Sequence, residues 1–175
     1  EWLKRKAVRD RDKQLQGGHA IWLDEHEKST REYFGLPYYM LHSFSHLLLT
    51  AISMECGYPP SSLKERIYAR FSQRQYGVLI YTGSPDAEGT LGGLIEAGRR
   101  ISSHVKRALE NGRLCSNDPV CAFHAPSEHD QLPLLGSACH GCLLVAEPSC
   151  EQRNDLLDRS LVISTVERLG CEFFK

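Results

Sequence analysis

The sequence has no apolar run long enough to cross a membrane as a helix. A bilayer span needs ~20 consecutive apolar residues, and the longest candidate, YYMLHSFSHLLLTAISMEC (38–56), contains two histidines and several hydroxyl groups. We therefore expect this stretch to form a buried helix. With 41% hydrophobic and 25% charged residues over a length of 175, the composition is typical of one soluble globular domain.

The sequence also lacks the short motifs of two large enzyme classes. It has no phosphate-binding loop ending in Gly-Lys-Ser or Gly-Lys-Thr, which P-loop ATPases use, and no G-x-S-x-G turn to present a nucleophilic serine. We therefore expect no catalytic residues here, and any ATPase or nuclease activity should belong to a partner or to a region outside this chain. The first residue is Glu1 and not Met, so we expect a piece of a longer protein.

There is no excess of charge of either sign. The net charge of −1 provides no general attraction to nucleic acid, so any binding to a polyanion would be local. Arg99, Lys106 and Arg113 are spaced seven residues apart, and on one continuous helix they would share a face that could follow a nucleic-acid backbone. Charged helix faces are more often only solvated. The candidate DNA-binding residues are Arg99, Arg100, Lys106 and Arg107.

The sequence predicts an α+β fold. The hydrophobic pattern indicates helices packed on a small mixed sheet, and the cysteines described below indicate a Cys-rich zinc knuckle near the C-terminus. HAIWLDE (19–25) and YGVLIYT (76–82) have the composition of strands. Apolar residues at helical spacing predict one helix over 39–56 and a second from Leu91 to about Leu114. The shorter predicted elements are a helix over 25–34, a helix in LKERIYARF (63–71), an Asn-capped helix from Asn154 and a final strand in CEFFK (171–175).

Five of the seven cysteines lie close together, with the spacing C115-x5-C121-x17-C139-x2-C142-x7-C150. A secreted disulfide protein would usually have an even number spread along a shorter chain, so clustering without a secretion signal favours metal thiolates in a cytoplasmic protein. A redox C-x-x-C would begin a helix after a strand, and no strand is predicted before Cys139. An iron–sulfur cluster also takes four cysteines, but we expect one structural Zn²⁺.

Five cysteines compete for the four places of a tetrahedral zinc site. Cys139, Cys142 and Cys150 are the strongest candidates, and either Cys121 or Cys115 would complete the set. His124 or His140 could substitute for one thiolate. Four thiolates leave no position for water, which is typical of structural and not catalytic zinc. The remaining cysteines, Cys56 and Cys171, lie on predicted regular elements and are expected to be packed thiols.

Two further groups of residues could carry chemistry. His42 and His46 are four residues apart on one predicted helix, a spacing that can hold a metal, but they lack the glutamate of H-E-x-x-H and are more typical of hydrogen-bonded core histidines. Asp86 and Glu88 lie in a small-residue loop after a predicted strand. Together with His42 or His46 they support an alternative function as a metal-dependent nuclease.

Six separated motifs also carry a resemblance to a known family. They are LHSFSHLLL, ECGYPPSSLKERIY, GVLIYTGSPDAEGTLGGL, CSNDPVC, ACHGCLL and SCEQRNDLLDR. In this order, over about residues 36–165, they resemble the C-terminal domain of DrmB, a component of the bacterial DISARM anti-phage system. The resemblance implies a division into an N-terminal segment, 1–35, and a zinc-binding domain, 36–175.

The cysteine segment also resembles, more loosely, the zinc-binding domain of MrfA-type repair helicases. The matching positions are Cys139, Cys142, Cys150, Asn154 and Leu157-Asp158-Arg159, but C-x5-C replaces the helicases' C-x-C, so the resemblance does not identify the fourth ligand. Both resemblances imply a non-catalytic accessory domain that works beside a DNA helicase. The partner implied is a DrmA-like helicase, with DNA as a second partner, and an accessory role in DNA repair is the alternative.

Overall fold

The computed structural model describes residues 1–83, 93–126 and 132–175 and confirms the α+β class. Five α-helices and one two-stranded sheet lie within these residues. In chain order the elements are α1 (Lys6–Glu25), α2 (Leu36–Cys56), β1 (Leu63–Arg70), β2 (Gln75–Thr82), α3 (Gly93–Arg99), α4 (Ile101–Gly112) and α5 (Val120–Phe123). None of the described helices is both long and apolar enough to span a membrane.

Helix α2 forms the centre of the core, as its sequence predicts. It starts one turn earlier than expected, with Pro37 in the first turn, where a missing N–H is tolerated, and it ends at Gly57 in the left-handed conformation (φ 69°). Over residues 36–49 the side chains are buried or half-buried on all sides of the helix, and exposed residues appear only near its end, at Thr50, Met54 and Glu55. A helix with so little exposed surface packs inside a protein, and α2 contacts the sheet, α3 and α4.

The sheet is an antiparallel hairpin and not a mixed sheet. The strand predicted over 76–82 is confirmed as β2, and it pairs with β1 from Leu63↔Thr82 to Arg70↔Gln75. The helix predicted in LKERIYARF is wrong, because this stretch forms β1 with Leu63, Glu65 and Ile67 buried in alternation. Strand pairing and packing on α2 override the helix propensity of its Lys, Glu and Arg residues.

The strand predicted over 19–25 is also wrong, because these residues complete helix α1. The preceding Gly18 does not interrupt the helix. A Cβ atom there would lie 2.1 Å from the Pro133 carbonyl oxygen and 2.7 Å from Pro126 Cβ, so glycine permits a close approach between α1 and these loops. The helix predicted over 25–34 is absent, and residues 26–34 form a turn followed by chain without regular secondary structure.

The C-terminal half contains less regular structure than predicted. The long helix expected to end near Leu114 is two helices, α3 and α4, that are separated at Arg100 (φ −106°, ψ 25°). The helix predicted from Asn154 is absent, because Asn154 has φ +66° and its side chain makes two hydrogen bonds to the Val145 backbone. Beyond it the structure has one 3₁₀ turn, Arg159–Leu161, and residues 171–175 do not form the predicted strand.

A buried ion pair joins the two ends of the described chain. Arg11 Nε donates to Asp158 Oδ2 over 2.5 Å, and both side chains are at most 1% exposed. Asp158 Oδ1 accepts from the Ser137 N–H and from the Ser160 N–H and hydroxyl. Burial raises the pKa of Asp158, but the charge and hydrogen bond of Arg11 outweigh it, and the pKa lies below its ordinary value of 3.8. The predicted boundary at residue 35 stays a prediction. Arg11 lies before it and Asp158 after it, so this ion pair connects the two predicted parts.

Replacing Arg11 should strongly destabilise the fold. Arg11→Met keeps most of the apolar stem but leaves the Asp158 carboxylate buried without its cation, and removal of one partner of a buried pair costs about 3–5 kcal/mol. Chemical denaturation at neutral pH would measure the loss. The control is Lys6→Met on the same helix, because the Lys6–Asp10 pair is solvent-exposed and its removal should leave the free energy of unfolding nearly unchanged.

The effect of Arg11→Met should depend on pH in a defined direction. The pKa of Asp158 is lower in the folded than in the unfolded chain, so its stabilisation is present above pH 3.8 and is lost as the pH falls through the folded pKa. The free energy of unfolding of wild type should therefore exceed that of Arg11→Met by less in acid, below pH 3.8, than at neutral pH. A difference that stays constant from neutral pH to strong acid would contradict the assignment.

Candidate metal centre

Four cysteine sulfurs converge at one point of the C-terminal half. The Sγ–Sγ distances are 3.4 Å for Cys115–Cys139 and 3.7 Å for both Cys121–Cys142 and Cys139–Cys142. All four sulfurs lie within 4.8 Å of one another. Zn–S bonds of about 2.3 Å place the sulfurs of a tetrahedral site roughly 3.8 Å apart, so the cluster has the dimensions of a zinc site.

Short loops and one short helix position these four sulfurs. Cys115 follows α4, Cys121 lies in α5, and the Cys142 and Leu143 N–H groups donate to the Cys139 carbonyl, closing the C-x-x-C turn. A Cβ atom on Gly141 would lie 2.6 Å from Ser116 Oγ, so the turn packs closely on the loop that carries Cys115.

Polar groups favour a thiolate at Cys139 and Cys142 only. Burial raises the pKa of Cys115 to about 11, and the hydrogen bond to Cys142 raises the pKa of Cys121 above its ordinary value. Asn117 Nδ2 donates to Cys139 Sγ over 3.3 Å. The hydrogen bond from the Cys121 thiol lowers the pKa of Cys142 to about 6, with a smaller contribution from the charge of Arg159. The Arg159 guanidinium is held by Asp118 Oδ1 and Oδ2 at 2.7 and 2.9 Å.

The donor set fits a structural zinc ion. Cys115, Cys121, Cys139 and Cys142 would hold it, and four thiolates close its coordination sphere, so no position remains for water or substrate. Once bound, the ion would connect the end of α4, α5 and the 139–142 turn. We conclude that the cluster can stabilise structure but offers no open coordination site for catalysis.

Cys150, which the sequence placed among these ligands, lies in a second cluster. Its neighbours are His42, His46 and Glu65, all four buried and with potential ligand atoms within 4.8 Å of one another. The spacing of the two histidines was visible in the sequence. Glu65 was missed because β1 was predicted as a helix, and no local pattern relates it to Cys150.

The other candidate ligands are outside the cluster of four sulfurs. His140 is exposed inside the C-x-x-C turn, and His124 Nε2 lies 3.3 Å from the Leu132 carbonyl. Cys171 Sγ donates to the Ala7 carbonyl over 3.5 Å, and Cys56 lies at the end of α2. Within the described ranges, neither histidine nor either of these cysteines joins a metal-binding group.

The candidate DNA-binding residues are exposed, but three of them already have acidic partners. Arg99 pairs with Glu96 at 3.2 Å, Arg100 with Glu55 at 3.2 Å and Lys106 with Glu110 at 3.9 Å. The break at Arg100 removes the single continuous helix from which the shared face was inferred. Arg107 is exposed on α4. The acidic residues of the nuclease alternative, Asp86 and Glu88, lie outside the described residues.

Removing one ligand of the four-sulfur cluster should release its metal. We expect Cys139→Ser to contain about one zinc ion per chain less than wild type and to unfold at lower temperature, since structural zinc contributes folding free energy. Elemental analysis and thermal denaturation would measure both effects. Cys56→Ser is the control, because that thiol belongs to neither cluster. Unchanged zinc content in Cys139→Ser, or iron in place of zinc, would contradict the assignment.

Comparison with known proteins agrees with this geometry. Residues 44–143 match the family model of the MrfA Zn-binding domain, and this range contains all four clustered cysteines. The chain is 42% identical over 178 aligned residues to the DISARM protein DrmB of Bacillus paralicheniformis. That alignment covers the whole chain but only 31% of the relative. The match and the four-cysteine cluster support the expected structural zinc and confirm the resemblance, and the chain belongs to the family of MrfA Zn-binding domains.

Proposed function

We propose that this chain is a non-catalytic, zinc-stabilised module of a bacterial anti-phage defence protein and that it works beside a DNA helicase. The observation that carries the proposal is the closed four-cysteine cluster in a chain of the MrfA Zn-binding family. The name of its relative, DISARM protein DrmB, favours defence over an accessory role in DNA repair. Reduced, clustered thiols also favour a cytoplasmic location.

The burial of the histidines disfavours the nuclease alternative. His42 and His46 are 0% exposed, so their rings cannot contact a DNA phosphate or activate a water beside it in this conformation. A nuclease site that used Asp86 and Glu88 would therefore need residues other than these two histidines to complete it. We assign ATP-driven work to the helicase partner and give this module a binding role.

The outer face of the hairpin is our candidate for contact with the helicase. Residues opposite each other in an antiparallel pair share a face, and the pairs Lys64↔Tyr81 and Arg66↔Leu79 lie on the face directed away from buried Leu63. Leu79 is 46% and Tyr81 39% exposed. Aromatic residues beside arginine are typical of the centres of protein interfaces, so this outer sheet face supports a protein partner.

DNA contact through the cations near α4 is the second candidate. Phosphates would have to compete with Glu96, Glu55 and Glu110 for three of the four side chains. Surface ion pairs of this kind are weak, so the competition is feasible. Arg107, with no ion-pair partner among the described residues, is the cation most available to a phosphate.

A charge on the outer sheet face should weaken binding to the helicase. In the full-length protein we expect Leu79→Glu to reduce affinity by about tenfold or more, because it replaces an apolar side chain in the centre of the contact by a carboxylate that binding would have to strip of water. Biolayer interferometry against the purified helicase would measure this. Val166→Glu, at another exposed apolar position (65% exposed), is the matched control. Equal affinity for both variants and wild type would rule out this face.

Charge reversal near α4 should weaken DNA binding in a salt-dependent way. Combined Arg99→Glu, Lys106→Glu and Arg107→Glu substitutions should lower affinity for duplex DNA and reduce the slope of log affinity against log salt. Fluorescence anisotropy at several salt concentrations would measure both. Reversal of Lys6, Lys13 and Lys28, three exposed cations elsewhere, changes the net charge equally. If both triple variants bind DNA like wild type, these arginines and this lysine do not contact it.

A further inference from the structure

The second cluster brings four donor atoms together inside the core from separate parts of the chain. His42 and His46 lie one turn apart on α2, Glu65 on β1, and Cys150 directly after a 3₁₀ turn. His42 Nε2 is 2.7 Å from Glu65 Oε1 and 3.1 Å from Cys150 Sγ, and His46 Nε2 is 3.1 Å from Glu65 Oε1. None of these residues belongs to the four-cysteine cluster.

The outer nitrogens of both histidines are fixed by backbone carbonyls. His42 Nδ1 lies 3.2 Å from the Leu156 carbonyl and His46 Nδ1 2.9 Å from the Leu143 carbonyl. A carbonyl only accepts, so each Nδ1 carries the proton, and in a neutral ring the Nε2 lone pair then points into the cluster. Metal-binding histidines are usually oriented by such a bond from the other ring nitrogen.

Cys150 has the surroundings of a thiolate ligand. Its sulfur accepts hydrogen bonds from the Gln152 N–H at 3.3 Å and from the Asn154 N–H at 3.2 Å. Hydrogen bonds to the charged form favour that form, and the thiolate is the form that binds metals. The positive φ values of Arg153 and Asn154, 55° and 66°, belong to the turn that brings the Asn154 N–H back to the sulfur.

The Glu65 carboxylate is also held in place by a hydrogen bond to one of its oxygens. The Ser45 hydroxyl donates to Oε2 of the carboxylate, which leaves Oε1 directed at the two Nε2 atoms. Glu65 is only 3% exposed, although it lies on a strand where an apolar residue would satisfy the burial pattern. A carboxylate is retained in such a position only when it has compensating partners.

Without a metal ion, the contacts among these side chains require two additional protons in the protein interior. If Glu65 and Cys150 are ionised, each Nε2 must carry a proton in addition to the one on Nδ1, and the two imidazolium rings then have centres only 4.6 Å apart, where like charges repel. One divalent ion can replace these two protons. It leaves both rings neutral, and its two positive charges balance the Glu65 carboxylate and the Cys150 thiolate.

We propose that His42 Nε2, His46 Nε2, Glu65 Oε1 and Cys150 Sγ bind a second divalent transition-metal ion, with Zn²⁺ the preferred ion. Sulfur, imidazole nitrogen and carboxylate oxygen are all zinc ligands, and thiolate with imidazole excludes Ca²⁺ and Mg²⁺, which take oxygen ligands. All four donors are buried and the set of four is complete, so the ion is structural. It joins α2, β1 and the Cys150 loop.

The metal content of the unaltered 175-residue chain gives the first test. After purification in the presence of zinc, elemental analysis should find about two zinc ions per chain. X-ray absorption at the zinc edge should show sulfur at about 2.3 Å together with nitrogen or oxygen near 2.0–2.1 Å. One zinc ion per chain with sulfur ligands alone would overturn the proposal, and neither measurement depends on a variant that folds.

Ligand variants then assign the second ion to these residues. Cys150→Ala should lose one ion and leave an absorption spectrum of sulfur ligands only, while Cys139→Ser should lose the other ion and retain the nitrogen and oxygen signal. Cys171→Ala is the matched control, because it removes a buried thiol outside both clusters and should keep both ions. A folded Cys150→Ala variant with undiminished metal would overturn the assignment. A second equivalent of another divalent transition metal, lost in Cys150→Ala, would support the site.

Discussion

The buried carboxylate of Asp158 is the group on which the arrangement of the chain depends. A charge in the interior must be paired and hydrogen-bonded, and Asp158 obtains its partners from Arg11 on α1 and from the Ser137 and Ser160 loops. Its own N–H donates to Ser43 Oγ on α2 at 2.7 Å. All of these elements must therefore be in place before the carboxylate is satisfied, which explains how a C-terminal segment with little regular structure is held in one conformation.

Arg159, the residue after Asp158, connects the hydrogen bonds of Asp158 to the loop between Cys115 and Cys121. Arg159 is buried, donates to the Gly112 carbonyl at the end of α4, and binds Asp118 in the loop between Cys115 and Cys121. The two clusters are also connected to each other. His46 of the second cluster lies 2.9 Å through its Nδ1 atom from the carbonyl of Leu143, and Leu143 directly follows Cys142 of the first cluster. The sheet of the described residues has only two strands, so it is too small to organise the domain by itself. Ion pairs and the two clusters of potential metal ligands connect the elements instead.

The sequence predicted the features whose signals are local. The C-x-x-C turn, helix α2 and strand β2 are each encoded in a short stretch by spacing or continuous apolar character. Cys150 was grouped with Cys142 because only seven residues separate them, yet the turn at Arg153 and Asn154 directs its sulfur to α2. Glu65 could not be found, because its role depends on contacts with residues 19 and 85 positions away. The predicted strand at 19–25 failed for a related reason, since the role of Gly18 appears only beside Pro133.

The contacts between the first and last parts of the chain also determine when the fold can be completed. Arg11 pairs with a residue 147 positions away, and Trp2 Nε1 donates to the Cys171 carbonyl 169 positions away. Contacts of such long sequence separation form slowly, because loop closure must precede them. During synthesis on the ribosome, Arg11 on α1 emerges long before Asp158 and cannot form this buried pair until then. The contacts that fix the C-terminal segment in one conformation are therefore made only when nearly all of the described chain is available.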